Sequence, residues 1–194
     1  MIMPEPGKKE DRRVRRTKKL LTQSLTRLMQ EKQVKEITVR ELTDLADMNR
    51  GTFYLYYKDI FDMLRKTEDE LFEGLQSIID LHENEPVTQR TRSVLLDLFR
   101  FTEENQEIVR VLLSPHGDMI FLHRLFEVIR ERCLRVLPDL AAVRNEADFD
   151  YHYSFMVFGI AGLIRSWVNN GCKEPAARMA DMADAMIRQG SLNL

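Results

Sequence analysis

Arg50, Gly51, Thr52, Tyr54, Tyr56 and Lys58 stand close together in one short stretch of a 194-residue chain. Their side chains suit recognition of a nucleic acid. Arginine can read guanine edges, the methyl of threonine can meet a thymine methyl, and tyrosine hydroxyls can bind phosphates. Gly51 weakens a helix by roughly 1 kcal/mol. Its missing side chain would let that helix lie close against DNA.

The flanking residues supply elements to hold this face. Thr38 and Glu41 form a T-x-x-E capping box. Val39, Leu42 and Ala46 then recur at helical spacing. The run breaks at Asp47-Met48-Asn49, where Asp tolerates a left-handed backbone better than most residues. Met48 restores an apolar contact across the turn, and Asn49 is a second N-cap. Arg50 to Tyr56 is expected to make about two helical turns. Phe53 and Tyr57, at i and i+4, face the preceding helix, which leaves Arg50, Gly51, Thr52, Tyr54 and Tyr56 outward or at the flanks. Helix, short turn, helix is the layout that places a second helix in a major groove. If the stretch binds DNA in this way, Arg40 and Arg50 are the expected base contacts, and Gly51 and Thr52 would lie against base edges. Thr38, Tyr54, Tyr56 and Lys58 would hold phosphates, and Asn49 is expected on the same surface.

The run T-V-R-E-L…N-R-G-T-F-Y-x-Y-Y-K-D resembles the DNA-binding domain of TetR/AcrR-family transcriptional regulators over roughly the first 65 residues. The resemblance implies an all-helical homodimer with an N-terminal head that binds operator DNA and a larger body that binds an effector. Two positions depart from the family pattern. Asp47 stands where Gly is usual in the turn. Ile60 stands where many members carry Lys, which removes one phosphate contact; Lys58 is close enough to substitute.

Charge is distributed as such a division requires. Residues 1–66 hold 16 Lys/Arg against 10 Asp/Glu, and residues 67–194 hold 13 against 21. A basic head on an acidic body fits a DNA-binding unit joined to one that does not bind DNA. The domains are therefore expected at 1–66 and 67–194. Lys8 to Lys19 forms a basic arm suited to phosphates or the minor groove. It runs into a first helix with Leu21, Leu25, Leu28 and Met29 inward. Asp59 can cap a fourth helix extending to about His82, long enough to serve as a transmission rod between head and body.

The remaining chain reads as helices separated by Ser114-Pro115-His116-Gly117, by Pro138 and a loop over 139–145, and by Gly171, a C-cap glycine. Asp118 can cap the helix after the first of these turns. Cys133 and Cys172 lack metal spacing and read as core thiols. The four histidines are scattered, and no catalytic motif, metal site or cofactor is expected. No stretch approaches the ~18 apolar residues of a membrane helix, and no signal peptide is evident, so the protein is read as cytoplasmic.

Phe99, Met119, Phe126, Phe155, Met156 and Trp167 are candidates for the apolar wall of an effector pocket. Phe158, Gly159, Gly162 and Trp167, with Met179, Met182 and Met186 on the next helix, are candidates for a four-helix dimer interface. The run G-I-A-G-L-I-x-x-W-x-x-N-G also resembles the C-terminal region of a TetR subgroup common in Gram-positive bacteria. The expected function is a repressor of double-stranded operator DNA released by a small molecule. The alternatives are a regulator or activator controlled by a protein partner, or a helical enzyme or carrier with no DNA role.

Overall fold

The computed structural model describes residues 12–114, 119–136 and 146–191. The turn over 115–117 with His116, the Asp118 cap, the loop over 139–145 and the first part of the basic arm lie outside the described residues, as do the side chains of Met119 and Cys133. Among the described residues the elements are α1 (Arg12–Glu31), a 3₁₀ turn (Val34–Glu36), α2 (Val39–Leu45), α3 (Arg50–Tyr54), α4 (Ile60–Leu81), α5 (Val87–Glu104), α6 (Gln106–Leu112), α7 (Met119–Val136), α8 (Glu146–Asn169) and α9 (Ala176–Ser191). The chain is all-α. Its contacts separate a unit ending at Leu64 from one beginning at Arg65, a division that falls inside α4.

The head follows from spacing and caps. Leu21, Leu25 and Met29, four residues apart on α1, are buried, as are Leu42 of α2, Phe53 of α3 and Met63 of α4. Leu28 is only half-buried. The start of α4 is fixed twice over. The Asp59 carboxylate accepts from the Asp62 N–H at 2.7 Å, and Asp62 accepts from the Lys58 N–H at 3.0 Å. These bonds satisfy backbone donors that a helix start leaves unpaired, and they place negative charge at the positive end of the dipole.

In the body, α5 packs chiefly on α9, and α6 packs on α8. Phe99 of α5 meets Trp167 of α8 edge to face at 5.4 Å. The Trp167 indole N–H is satisfied by the Glu174 carbonyl at 3.0 Å. The end of α8 is closed by a left-handed Gly171 (φ +76°). Its N–H donates to the Val168 carbonyl and that of Cys172 to the Trp167 carbonyl, the paired bonds of a Schellman motif. Arg110 of α6 adds a side-chain bond to the Val168 carbonyl at 2.9 Å. Gly74 of α4 is required by close approach: a Cβ there would sit 2.5 Å from the Phe101 ring of α5.

His82, read from sequence only as one of four scattered histidines, is buried between two carboxylates. Glu85 lies 2.7 Å from Nδ1 and Asp97 lies 2.9 Å from Nε2. Arg100 pairs with Asp97 at 3.1 Å, and Arg90 donates to the Glu85 carbonyl. Burial disfavours the charged ring, but hydrogen bonds and attraction from Glu85 and Asp97 outweigh it and raise the pKa above 6.5. The stabilising contribution of His82 is therefore complete below about 6.5 and disappears as pH rises through the raised folded value. Denaturant titrations of H82Q and wild type should differ most below about pH 6.5 and converge as pH rises through the raised folded value. A gap that widens with rising pH would contradict this arrangement.

Candidate functional site

The turn between α2 and α3 depends on an unusual residue. Asp47 adopts φ 52°. This lets the Met48 N–H reach back to the Thr43 carbonyl at 2.9 Å, while the Asp47 N–H bonds the Asp44 carbonyl at 3.3 Å. The departure from Gly thus preserves a Schellman closure with a residue that visits left-handed geometry more readily than most.

Both helices are capped as their sequences dictate. The Thr38 hydroxyl accepts from the Glu41 N–H at 3.2 Å and donates to Oε2 of Glu41 at 2.9 Å. The Glu41 carboxylate also accepts from the Thr38 N–H at 3.0 Å and from Lys32 Nζ at 2.6 Å. The Lys32 bond and the two Thr38 donors hold its pKa down at about 2. Thr38 is consequently engaged in its cap, and a phosphate would have to displace Glu41 to claim that hydroxyl. Asn49 Oδ1 accepts from the Gly51 N–H at 2.8 Å, which starts α3 at Arg50.

The α-helix proper ends at Tyr54, short of the two turns expected. The Phe53 carbonyl nevertheless accepts from the N–H groups of Tyr56 and Tyr57, so the backbone keeps turning. Leu55 retains helical dihedrals (φ −68°, ψ −25°). Phe53 and Tyr57 are buried, with rings 5.5 Å apart, and anchor the inner side. Arg50, Gly51 and Lys58 are exposed, Thr52 and Tyr56 are half-exposed, and Tyr54 is 57% exposed. Arg50 makes no ion pair or hydrogen bond among the described residues. Arg40 on α2 is also exposed, and among the described residues its ion pair is a loose one to Asp44 at 3.6 Å. In α1, Arg12, Arg13, Arg15, Arg16 and Lys19 are exposed as well.

The body residues singled out in the sequence separate into two sets. Phe99 and Trp167 belong to the closed core between α5, α8 and α9, and Met179 is buried in the same cluster. Trp167 and Met179 therefore do not lie on an outer dimer seam. Ala176, Met179, Ala180 and Ala183 of α9 pack in this cluster with Leu95 and Phe99 of α5. Phe126 of α7 packs its ring 5.1 Å from that of Phe158, and its carbonyl accepts from the Tyr153 hydroxyl. Phe155 and Met156 join Gly159, Ile160, Leu163 and Met186 along an open apolar cleft between α8 and α9. Of the pocket candidates whose side chains are described, Phe99 and Trp167 thus lie in the closed core, while Phe155 and Met156 line the cleft. Phe155, placed from sequence in a pocket wall, is 71% exposed, and Phe158 and Met186 are 62% and 56% exposed. Met182 is half-buried. A Cβ at Gly159 or Gly162 would meet nothing within 4 Å.

A capped helix-turn-helix with a basic outer face, joined in one chain to a helical bundle, defines the class of helix-turn-helix transcriptional regulators. Residues 89–189, just over half of the chain, match the TetR-type family model described as a transcriptional regulator C-terminal region. The chain belongs to the TetR/AcrR family of transcriptional regulators. It is 23% identical over 151 residues to the HTH-type transcriptional regulator YxbF of Bacillus subtilis (strain 168), covering 76% of this chain and 38% of that protein. The chain thus spans well under half the length of this curated relative. Its fold is similar to that of a TetR-family regulator from Syntrophomonas wolfei, with a TM-score of 0.66 at 16% identity over 94% of this chain and 98% of the other. It is also similar to the transcriptional regulator FadR of Bacillus subtilis in complex with stearoyl-CoA, with a TM-score of 0.64 at 13% identity over 87% and 96%. Among the described residues, no helix is long and apolar enough to cross a membrane.

Proposed function

We propose that this chain acts in the cytoplasm as a homodimeric repressor that binds a specific operator duplex and is released by a small apolar or amphipathic effector. The observation that carries the reading is Arg50: a cation at the start of an outward helix, exposed and unpaired among the described residues, beside a glycine. No structural need of the head accounts for that combination. Arg50 and Arg40 read base edges, Gly51 and Thr52 lie against them, and Tyr54, Tyr56 and Lys58 hold phosphates. Asn49 and Thr38 fix the two helix starts.

The second copy covers the cleft between α8 and α9. Exposed Phe155, Phe158 and Met186 beside the open positions Gly159 and Gly162 support this, because large rings from one copy can fill the space above the glycines of the other. The stearoyl-CoA bound to the FadR of similar fold makes long-chain acyl-CoAs the first effectors to test. An effector releases DNA only to the extent that it binds the DNA-incompetent arrangement better.

The test is binding of the full-length chain to the duplex upstream of its own coding region, measured against salt. Arg50→Ala should weaken specific binding by about 1–3 kcal/mol and relax sequence preference at one position. An equal loss on all sequences would remove the base-reading role from Arg50. Absence of any salt-sensitive binding would overturn the DNA reading itself.

A further inference from the structure

The strongest unexplained feature of the head is Leu55. It is 77% exposed, although it sits beside the fully buried Phe53 and the buried Tyr57. Scattered exposed leucines are ordinary on protein surfaces, so exposure alone decides nothing. Position does. Leu55 lies four residues after Gly51 with a helical backbone between them, which puts the two on one face of α3. A Cβ at Gly51 would meet only the Asn49 side chain, at 3.3 Å, so the surface there is low and open. The apolar side chain stands at the far end of this low face. Exposed Arg50 precedes it and exposed Lys58 follows it. An apolar projection framed by cations is complementary to one occupant in particular: a duplex groove whose walls are phosphates and whose floor carries a methyl group. Of the four bases only thymine presents such a methyl in the major groove, at C5.

We propose that Leu55 is a specificity-determining residue that packs against the C5-methyl of a thymine in each operator half-site. The inference rests on the DNA-binding reading above and names the base that this part of α3 selects. Arg50 and Leu55, five residues apart, then read different positions: a hydrogen-bonding edge and a methyl.

The experiment uses the full-length chain and a duplex selected by it from a random pool. Each thymine is replaced singly by deoxyuridine, which removes the C5-methyl and leaves base pairing intact. Wild type should lose about four- to tenfold in affinity at one thymine per half-site, the effect of withdrawing a methyl from an apolar contact. L55A should bind the unmodified duplex more weakly by a similar factor and be indifferent to deoxyuridine at that position. Because the side chain is exposed, an unchanged thermal midpoint for L55A will establish that folding is intact. If wild type binds the selected duplex but no deoxyuridine matters, or if L55A keeps the wild-type sensitivity, the assignment of Leu55 fails and DNA binding stands. If no duplex is enriched and no salt-sensitive binding occurs, the DNA-binding reading fails and takes this assignment with it.

Discussion

Phe53→Ala should abolish duplex binding by unfolding the head while the body remains folded. Phe53 has no accessible surface, and its ring lies 5.4 Å from that of Tyr54 and 5.5 Å from that of Tyr57. Removing a buried aromatic ring costs about 3–5 kcal/mol, because the cavity closes only in part. Small domains hold little stability in reserve. The expected result in the full-length chain is a new low-midpoint transition in far-ultraviolet circular dichroism, with the later transition of the body in place. Heating both proteins and comparing the two steps checks this. A single transition at the wild-type midpoint, with DNA binding retained, would mean that Phe53 does not hold α3 in place.

Charging the open face of α8 should have the second large effect. Phe155→Asp with Phe158→Asp replaces two exposed rings, so each chain should keep its helix content, with a thermal midpoint lowered by loss of the partner and of the Phe126–Phe158 ring contact. If a second copy covers this face, four buried carboxylates would face one another without partners, and the dimer should dissociate. Two joined heads gain roughly 10²- to 10⁴-fold in avidity over one. Duplex affinity should therefore fall by at least about a hundredfold. Sedimentation velocity reads the first outcome and a titration of duplex reads the second. A double variant that sediments like wild type would place the interface elsewhere.

The head was the more legible part of the sequence, for a physical reason. Its signals are local. Thr38 and Glu41 cap each other across three residues, Asn49 caps Gly51, and Asp59 bonds Asp62, so each element start is written in a few adjacent residues. Asp47 shows the same locality, since tolerance of φ 52° is a property of the residue itself. The length of α3 was overestimated. Tyr56 and Tyr57 continue its turn through the Phe53 carbonyl without extending the regular helix.

The body was less legible because its signals depend on which faces meet. Met179 and Trp167 carry the same small-and-large pattern that an interface would, yet they pack within their own chain. Phe155, expected in a pocket wall, lines the open cleft between α8 and α9 but stays largely exposed there, which spacing alone does not reveal. Nothing in the spacing of four histidines distinguishes His82, whose partner Asp97 is fifteen residues away on the next helix. Gly74 carried no local signal either; only the Phe101 ring against it reveals why a side chain is excluded. Leu55 had a faint signal, an apolar residue among outward tyrosines, and its exposure became apparent only once Phe53 and Tyr57 were seen to occupy the inner side.

The most direct measurement is methylation interference on a selected duplex with the full-length protein. Methyl groups on guanine N7 occupy the major groove and leave the minor groove untouched. Entry of α3 into that groove predicts interference in two clusters whose centres lie about one or a small multiple of 10–10.5 base pairs apart. R50A should lose interference at one guanine in each cluster and keep the rest. Specific binding that tolerates N7 methylation at every guanine, in wild type and variant alike, would contradict a groove-reading α3.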